Sequence, residues 1–264
     1  MSSRSIAQGP RDGPRRRRWT GTPLLYCAGV ERPRPEPDLH TARDPGEPLT
    51  RSSLPFHYLA VDGPIGVGKT TLVELLVRRF EGVKVLEDVE NPFLPSFYED
   101  RPGAAFQTEL YFLLSRYKQQ QDIVQRELFD RLVVSDYTFQ KNRVFAYLNL
   151  TDEELMLFDK LYNLLEPQVP EPELVLYLVA DIDTCKERIK RRSRSFEKDL
   201  SSDYLRELID AYNHYYHYYD RTPLLVVDTR HIDFLHREED FEDLVQQLSR
   251  PIKGTQYYVP RGSH

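Results

Sequence analysis

The fold class of this chain is decided by one stretch of sequence, Gly63-Pro64-Ile65-Gly66-Val67-Gly68-Lys69-Thr70-Thr71. It fills the pattern G-x-x-x-x-G-K-[ST] and lies between an apolar run and a helical pattern, which is the setting of a phosphate-binding loop. Its glycines let successive backbone N–H groups converge on phosphate oxygens, and the N-terminal dipole of the following helix adds to that cradle. Lys69 supplies a cation for the outer phosphates, and the Thr70 hydroxyl is a candidate Mg²⁺ ligand. These residues predict a site for a nucleoside triphosphate.

On either side of this loop, short apolar runs alternate with helical patterns. The runs are continuous and rich in β-branched residues, and they predict five strands at residues 58–61, 83–89, 132–135, 174–180 and 224–227. Between the third and fourth runs, Thr151 and Glu154 form a predicted capping box at the start of a helix. Alternation of this kind predicts an α/β fold with a five-stranded parallel sheet and helices on both faces.

Charge is spread unevenly along the chain. Residues 1–55 hold ten Arg, six acidic residues and nine of the 19 prolines, so they carry a net charge of +4 and the remainder carries −10. The prolines predict a disordered basic extension over residues 1–55. A folded domain is expected over residues 56–250 and a C-terminal tail over residues 251–264. An acidic body is a poor platform for nucleic-acid backbones, so no nucleic-acid partner is expected.

Composition excludes several other classes of protein. Of the 264 residues 40% are apolar and 30% are charged, a balance that can bury a sizeable core. No run approaches the roughly 18 apolar residues of a membrane span, so no membrane partner is expected. Cys27 and Cys185 are the only cysteines of the chain, too few for a disulfide scaffold. A reducing, cytoplasmic location follows as an expectation.

Three further segments accompany the phosphate-binding loop. They are residues 86–93 (Leu-Glu-Asp-Val-Glu-Asn-Pro-Phe), 135–146 (Ser-Asp-Tyr-Thr-Phe-Gln-Lys-Asn-Arg-Val-Phe-Ala) and 188–197 (Arg-Ile-Lys-Arg-Arg-Ser-Arg-Ser-Phe-Glu). In this order the four segments resemble the deoxynucleoside kinase family, especially its bacterial deoxyguanosine and deoxyadenosine kinases. The resemblance implies a P-loop kinase fold and Mg²⁺-dependent transfer of the γ-phosphoryl group of ATP to the 5′-hydroxyl of a deoxynucleoside. It also implies a homodimer and an Arg-rich lid over the phosphates.

Two carboxylates lie near the carboxyl ends of predicted strands, where α/β folds gather functional groups. Glu87 occupies the place of the family's base, which faces the 5′-hydroxyl, and a hydroxyl acceptor needs such a carboxylate to take its proton. Asp136 follows the third strand and, with Thr70, is the predicted metal site. Many relatives have Arg next, whereas this chain has Tyr137, a phenol that cannot replace a guanidinium. Lys141 is the candidate substitute.

The segment from residue 188 to residue 197 resembles the family's lid. Arg188 and Arg192 lie four residues apart, so a helix would place them on one face, and Arg194 continues into the loop. Guanidinium groups bind phosphate oxygens bidentately, so these three arginines are candidate catalytic residues. The same resemblance adds Glu197 on the substrate side.

Base recognition in the family uses a Gln two helical turns before an Arg. Gln107 lies nine residues before Arg116, about 900° of helical rotation and so on the opposite face, whereas Glu109 lies seven residues before it. Glu109 is therefore the preferred partner of Arg116, although a simple salt bridge between them is the alternative. Because a carboxylate only accepts, it favours the N1–H and N2–H₂ groups of guanine. Tyr98, at the deoxyribose 3′-hydroxyl, Asn142 and Gln107 itself complete the candidate substrate site.

Other functions remain open at this level. A thymidylate-type nucleoside monophosphate kinase would need extra cations near Glu87, and the neighbouring sequence has none. A P-loop regulatory protein would keep the loop but would not need Glu87. A nucleic-acid-associated protein would act through the basic run at residues 15–18. A purine deoxynucleoside kinase accounts for more of the motifs than any of these.

Overall fold

The computed structural model describes residues 54–88, 90–125, 131–192, 200–234 and 237–259. Within these ranges six strands form one sheet: β1 (Tyr58–Asp62), β2 (Val83–Val85), β3 (Val133–Ser135), β4 (Leu174–Val179), β5 (Leu224–Asp228) and β6 (Thr255–Tyr258). Eight α-helices connect or flank the strands in the same ranges. They are α1 (Lys69–Phe80), α2 (Leu94–Tyr98), α3 (Ala104–Gln125), α4 (Lys141–Asn149), α5 (Asp152–Leu165), α6 (Ile182–Arg192), α7 (Ser202–His217) and α8 (Glu238–Leu248).

All pairings in the sheet are parallel, and the strand order is β2-β3-β1-β4-β5-β6. The predicted α/β class is confirmed, and each of the five predicted strands is present, although the second ends at Val85 and not at residue 89. The sheet has six strands because Thr255–Tyr258 adds to β5. This edge strand alternates exposed and half-buried residues and has no continuous apolar run. The signal that identified the five inner runs is therefore missing from it.

Helices cover both faces of the sheet, as the buried strands require. Leu59 and Val61 of β1 pack in the core on one face, against residues of α1, α6 and α8. Ala60 points to the opposite face and packs with residues of α4 and α7. Alternate residues of the same strand thus enter two separate cores, which is why the strand is apolar throughout.

Helices α3, α4 and α5 pack around a third apolar core beside the sheet, with Leu113, Phe158 and Tyr162 fully buried. The predicted capping box at the start of α5 is confirmed. The Thr151 hydroxyl accepts the Glu154 amide at 3.3 Å, and the Glu154 carboxylate accepts the Thr151 amide at 3.0 Å. This core fixes the long α3 helix next to the carboxyl ends of the strands.

A buried carboxylate ties the phosphate-binding loop to helix α7. Asp62 ends β1 and accepts the amide of Gly63 at 2.8 Å. It also accepts the hydroxyls of Thr138 at 2.6 Å, Tyr216 at 2.7 Å and Tyr212 at 3.3 Å. These donors satisfy a carboxylate that is completely buried. The first peptide of the loop is therefore held by residues from β1, α7 and the segment after β3.

Some sequence expectations concern residues that the structure does not describe. Residues 1–53 of the predicted extension, and Arg194 and Glu197 of the predicted lid, lie outside the described ranges. In the part of the chain that is described, no helix has both the length and the apolar character needed to cross a membrane.

Candidate active site

The phosphate-binding loop leaves β1 and enters α1 through left-handed glycines. Gly66 has φ of 84°, and a Cβ on it would lie 2.5 Å from the carbonyl oxygen of Cys185 on α6. Gly68, the N-cap of α1, has φ of 108°. The loop therefore needs glycine for its backbone path and for its close approach to α6. Residues 65–71 line a cavity of about 1600 Å³, so most of the predicted nucleotide-binding residues share one site.

Lys69 closes the loop onto itself. Its ammonium donates to the carbonyl oxygens of Gly63 at 2.8 Å and Pro64 at 2.9 Å. Gly63 and Pro64 thus shape the site through their carbonyls. Burial, helped by the nearby charge of Lys141, lowers the pKa of Lys69 to about 8. Phosphate anions in the cavity would offset both effects and favour the charged ammonium.

The predicted metal ligands lie side by side at the start of the loop helix. The Thr70 hydroxyl donates to Oδ2 of Asp136 at 2.9 Å, and Oδ1 of Asp136 accepts the backbone amide of Glu87 at 2.6 Å. A hydroxyl and a carboxylate are oxygen ligands of the kind that Mg²⁺ uses, together with water and substrate phosphates. The donor set therefore fits the metal that the loop motif predicts.

Glu87 is held by two cations from different helices. One carboxylate oxygen accepts Nε of Arg116 at 3.0 Å and also Nη2 of Arg116, and the other accepts Nζ of Lys141 at 2.5 Å. Burial opposes ionisation of Glu87, but Lys141 and Arg116 outweigh it and hold its pKa well below the usual range. The expectation that no extra cation lies near Glu87 is wrong, because Arg116 on α3 and Lys141 on α4 both contact its carboxylate.

Asn142 orients the side chain of Arg116. Its side-chain oxygen accepts Nη1 of Arg116, while its amide group donates to the carbonyl of Phe139 at 2.7 Å. Asn142 is completely buried and does not line the cavity, whereas Arg116 does, so Asn142 reaches the site only through Arg116. Tyr137 is also buried and donates to Gln119 at 2.9 Å, so its phenol takes no part in the cavity.

The predicted pair of Glu109 and Arg116 shares one face of α3 and lines the cavity, but the two side chains form no ion pair in the described structure. Glu109 instead accepts the side-chain amide of Asn149 at 2.7 Å. Gln107 is exposed and does not line the cavity, as its opposite position on the helix requires. Tyr98 lines the cavity and is 39% exposed.

Several cavity residues were not identified from the sequence. Phe112 and Phe145 are aromatic lining residues, and the segment after β5 also lines the cavity. The aromatic residues stand out only when α3 and α4 are placed side by side. The segment after β5 could have been identified from the sequence, because it follows a predicted strand and therefore lies at the same edge of the sheet as the other site residues. Its cavity-lining members are Thr229, Arg230, His231, Ile232, Asp233, Phe234 and Arg237.

Arg188 does not stand over the cavity as a free lid residue. Its guanidinium donates to the carbonyl oxygens of Val67 at 2.8 Å and Thr229 at 2.7 Å, and to the Thr229 hydroxyl at 3.0 Å. It therefore fastens the phosphate-binding loop to the segment after β5. Arg192 is exposed and also lines the cavity.

One cavity thus contains a phosphate cradle, a carboxylate held by two cations and two aromatic side chains. Fold and site together define a P-loop phosphotransferase. The model of the family described as deoxynucleoside kinase matches residues 59–253. The chain belongs to the deoxynucleoside kinase family. It is an enzyme that phosphorylates deoxynucleosides, a reaction of nucleotide salvage, and the match favours this activity over the nucleoside monophosphate kinase alternative.

Individual relatives agree with this assignment. Over 201 residues the chain is 35% identical to a deoxyguanosine kinase of Bacillus subtilis, covering 74% of this chain and 97% of that protein. A deoxyadenosine/deoxycytidine kinase of the same organism is 29% identical over 206 residues, covering 75% of this chain and 94% of the relative. A deoxyadenosine kinase structure from M. mycoides shares the fold with a TM-score of 0.63 and 24% identity, over 72% of this chain and 97% of the other.

Proposed function

We propose that this enzyme transfers the γ-phosphoryl group of ATP to the 5′-hydroxyl of a purine deoxynucleoside. The observation that carries the proposal is the single cavity that contains the phosphate-binding loop, Glu87 and Glu109. The loop binds the donor phosphates, Glu87 faces the reacting hydroxyl, and Glu109 lies deeper, where the base is held. The names of the Bacillus subtilis relatives support a purine among the acceptors.

Glu87 serves as the proton acceptor for the 5′-hydroxyl. Its depressed pKa makes it a weak base, but phosphoryl transfer passes through a loose transition state in which the acceptor proton moves late. A weak, permanently ionised carboxylate is adequate for that task. Lys141, which contacts Glu87 and acts electrostatically on Lys69, stands between the acceptor and the donor phosphates. We assign to it the charge compensation that an arginine at position 137 provides in many relatives.

Thr70 and Asp136 are the proposed Mg²⁺ ligands. The 2.9 Å contact between their side chains puts the two oxygens close enough to share one cation. When bound, Mg²⁺ supplies charge neutralisation and orientation to the donor phosphates. The link from Asp136 to the amide of Glu87 sets the distance between this site and the base.

The acceptor base lies between Phe112 and Phe145, with Glu109 at its edge and Tyr98 toward the deoxyribose. Aromatic side chains on both walls favour a planar heterocycle by stacking. Arg116 stays with Glu87, so Glu109 is the principal polar reader of the base. Arg192, together with Arg194 and Glu197 outside the described ranges, belongs to the lid that closes over ATP.

We propose a homodimer that uses the outer face of α5. Met156, Leu157 and Leu164 are 65%, 50% and 68% exposed. Leu157 and Leu164 are seven residues apart, so they lie on one helical face within about 20°. Replacing both by Glu should give a monomer in light scattering if this face is the interface, and an unchanged dimer would place the interface elsewhere.

Three organisational proposals complete this assignment. We propose residues 1–55 as an accessory extension and residues 56–250 as the kinase domain, whose sheet is completed by β6 from the predicted tail at residues 251–264. We place the enzyme in the cytoplasm, because the Cys185 thiol is free and reducing compartments preserve free thiols. Its partners are ATP and a deoxynucleoside, with no nucleic acid.

The experiment is ATP-dependent phosphorylation of the four deoxynucleosides side by side, with their monophosphates as competing acceptors. We expect product from deoxyguanosine or deoxyadenosine, and loss of turnover in Lys69→Ala. Lys253→Ala, which removes an exposed ammonium, is the matched control and should retain full activity. Turnover of a monophosphate without any deoxynucleoside would reject the proposed acceptor.

A further inference from the structure

The carboxylate of Glu109 has two oxygens in different situations. Oε1 accepts the side-chain amide of Asn149, the last residue of α4, at 2.7 Å. Oε2 is buried and has no hydrogen-bond partner among the described residues. Glu109 is 2% exposed, and both it and Asn149 line the cavity that contains the phosphate-binding loop. A buried oxygen without a partner costs free energy unless it is protonated or a ligand meets it.

Charged groups from three elements act on Glu109. Arg116 is on the same helix, Glu87 follows β2 and Lys141 lies on α4. The side chains of Arg116 and Lys141 are both committed to Glu87, so neither neutralises Glu109 directly. Burial raises the pKa of Glu109 to about 7, although Asn149 and Arg116 oppose the rise. Near neutral pH the carboxyl group is thus present in both protonation states.

Asn149 decides which oxygen can carry the proton. Its amide N–H must be accepted by Oε1 in either state, so a proton on the carboxyl group resides on Oε2. Oε2 is therefore an acceptor when Glu109 is ionised and a donor when Glu109 is neutral. Purines differ in the same sense at one ring atom, because N1 carries a hydrogen in guanine and hypoxanthine but a lone pair in adenine.

We propose that Oε2 of Glu109, singled out by Asn149, reads purine atom N1, so that the ionised enzyme selects guanine-type bases and the protonated enzyme selects adenine. This inference rests on the proposed function. Glu109 contacts the base, and Asn149 is a positioning residue. The selection involves no covalent step beyond the exchange of one proton between solvent and Oε2.

The proposal fixes how base preference changes with pH. If each protonation state is productive with one base, the ratio of kcat/KM for deoxyguanosine over deoxyadenosine follows the ratio of ionised to neutral Glu109. That ratio rises about tenfold for each pH unit. Other ionisations that affect the reaction act equally on both substrates and cancel in the ratio.

The test measures kcat/KM for four nucleosides between pH 6 and pH 8 with the whole chain. They are deoxyguanosine, deoxyinosine, deoxyadenosine and the 2-aminopurine deoxyribonucleoside. Deoxyinosine has N1–H but no 2-amino group, so it should follow deoxyguanosine. The 2-aminopurine compound has the amino group but no N1–H, so it should follow deoxyadenosine. These wild-type profiles need no variant that might fail to fold.

Two variants separate selection from packing. Glu109→Gln cannot ionise and should make the ratio independent of pH. Asn149→Ala should flatten the slope, because a neutral carboxyl group can then turn its carbonyl oxygen to guanine N1–H. Asn163→Ala, which removes an exposed amide on α5, is the control and should keep the wild-type slope. A purely structural Asn149 would lower both efficiencies and leave the slope unchanged.

Two outcomes overturn the inference while leaving the proposed function intact. In one, wild-type enzyme phosphorylates both purine nucleosides with a ratio that does not vary with pH. In the other, deoxyinosine follows deoxyadenosine, which would mean that the 2-amino group is read. Failure to phosphorylate any deoxynucleoside at any pH would overturn the proposed function, and this inference with it.

Discussion

Oδ1 of Asp136 accepts the backbone amide of Glu87 at 2.6 Å, so the proposed metal ligand and the proposed base are joined by one hydrogen bond. The other oxygen of Asp136 accepts the Thr70 hydroxyl at the start of α1. Asp136 therefore connects the carboxyl ends of β2 and β3 to the phosphate-binding loop. A substitution at Asp136 should therefore disturb the base as well as the metal site.

Replacing Glu87 by Gln should lower kcat at least 100-fold, the scale of lost general-base catalysis. Calorimetry should still detect deoxynucleoside binding. The free energy of unfolding should also fall by about 3 kcal/mol, since Arg116 and Lys141 lose a partner that is only 16% exposed. Glu90→Gln, an exposed carboxylate on the same segment, is the control. Unchanged kcat in Glu87→Gln would refute the base role.

Asp136→Asn should raise the Mg²⁺ concentration needed for half-maximal activity by at least tenfold, because an amide oxygen carries no full charge. The titration should be run with ATP saturating at each point. Removing Mg²⁺ with a chelator should abolish turnover of the wild-type enzyme, and adding it back should restore it. An Asp136→Asn enzyme with a wild-type Mg²⁺ requirement would move the metal site elsewhere.

Arg188→Ala should raise KM for ATP and lower the free energy of unfolding by about 2 kcal/mol. The reason is that the guanidinium bonds of Arg188 to Val67 and Thr229 hold the loop in place. Arg206→Ala is the control, because its exposed pair with Asp203 should contribute less than about 1 kcal/mol. Lower kcat with unchanged stability would instead assign Arg188 to a lid that engages only with substrate.

The pH dependence of the free energy of unfolding should reveal the raised pKa of the buried Glu109 carboxyl group. Its pKa is about 7 in the folded protein against 4.5 for the ordinary group. Below pH 4.5 the group is neutral in both states, whereas between pH 4.5 and 7 only the unfolded chain ionises fully, so the folded state loses stability as pH rises. The Glu109→Gln variant cannot ionise at this position and does not lose stability in this way. The free energy of unfolding of the variant minus that of the wild type should therefore rise by about 3 kcal/mol from pH 4 to pH 8.

Denaturant unfolding of the ligand-free proteins at each pH measures this difference. Asn163→Ala again provides a variant whose stability difference from wild type should not change with pH. A constant difference between Glu109→Gln and wild type would mean that Glu109 stays ionised in the folded protein.

The parts of this fold that depend on local pattern were predictable from the sequence. The glycine spacing around Lys69 identified the loop, and apolar runs identified the five inner strands. Because parallel strands align their carboxyl ends, Glu87 and Asp136 could be placed at one site without knowing the helices. The rotation of an α-helix also predicted that Glu109, rather than Gln107, shares a face with Arg116, and the candidate Gln107 does lie outside the cavity.

Contacts between distant segments could not be predicted in the same way. Lys141 meets Glu87 across 54 residues of sequence, and Asn149 meets Glu109 across 40. Those pairs depend on how α3 and α4 pack, which no local periodicity reports. Likewise, helical spacing predicted that Arg188 and Arg192 share a face, and both line the cavity, but only the packed structure shows that backbone carbonyls occupy the guanidinium of Arg188.

The buried Asp62 carboxylate has an optical consequence. It binds the first amide of the phosphate-binding loop and the hydroxyls of Tyr212 and Tyr216, and the Tyr216 ring stacks on Tyr177 with centroids 4.2 Å apart. Trp19 is the only tryptophan of the chain. In a Trp19→Phe enzyme the near-ultraviolet circular dichroism would come mainly from tyrosines in chiral, rigid settings. This ring cluster is therefore an intrinsic spectroscopic probe, and Asp62 connects it to the phosphate-binding loop. A change in its signal would report nucleotide binding at that loop.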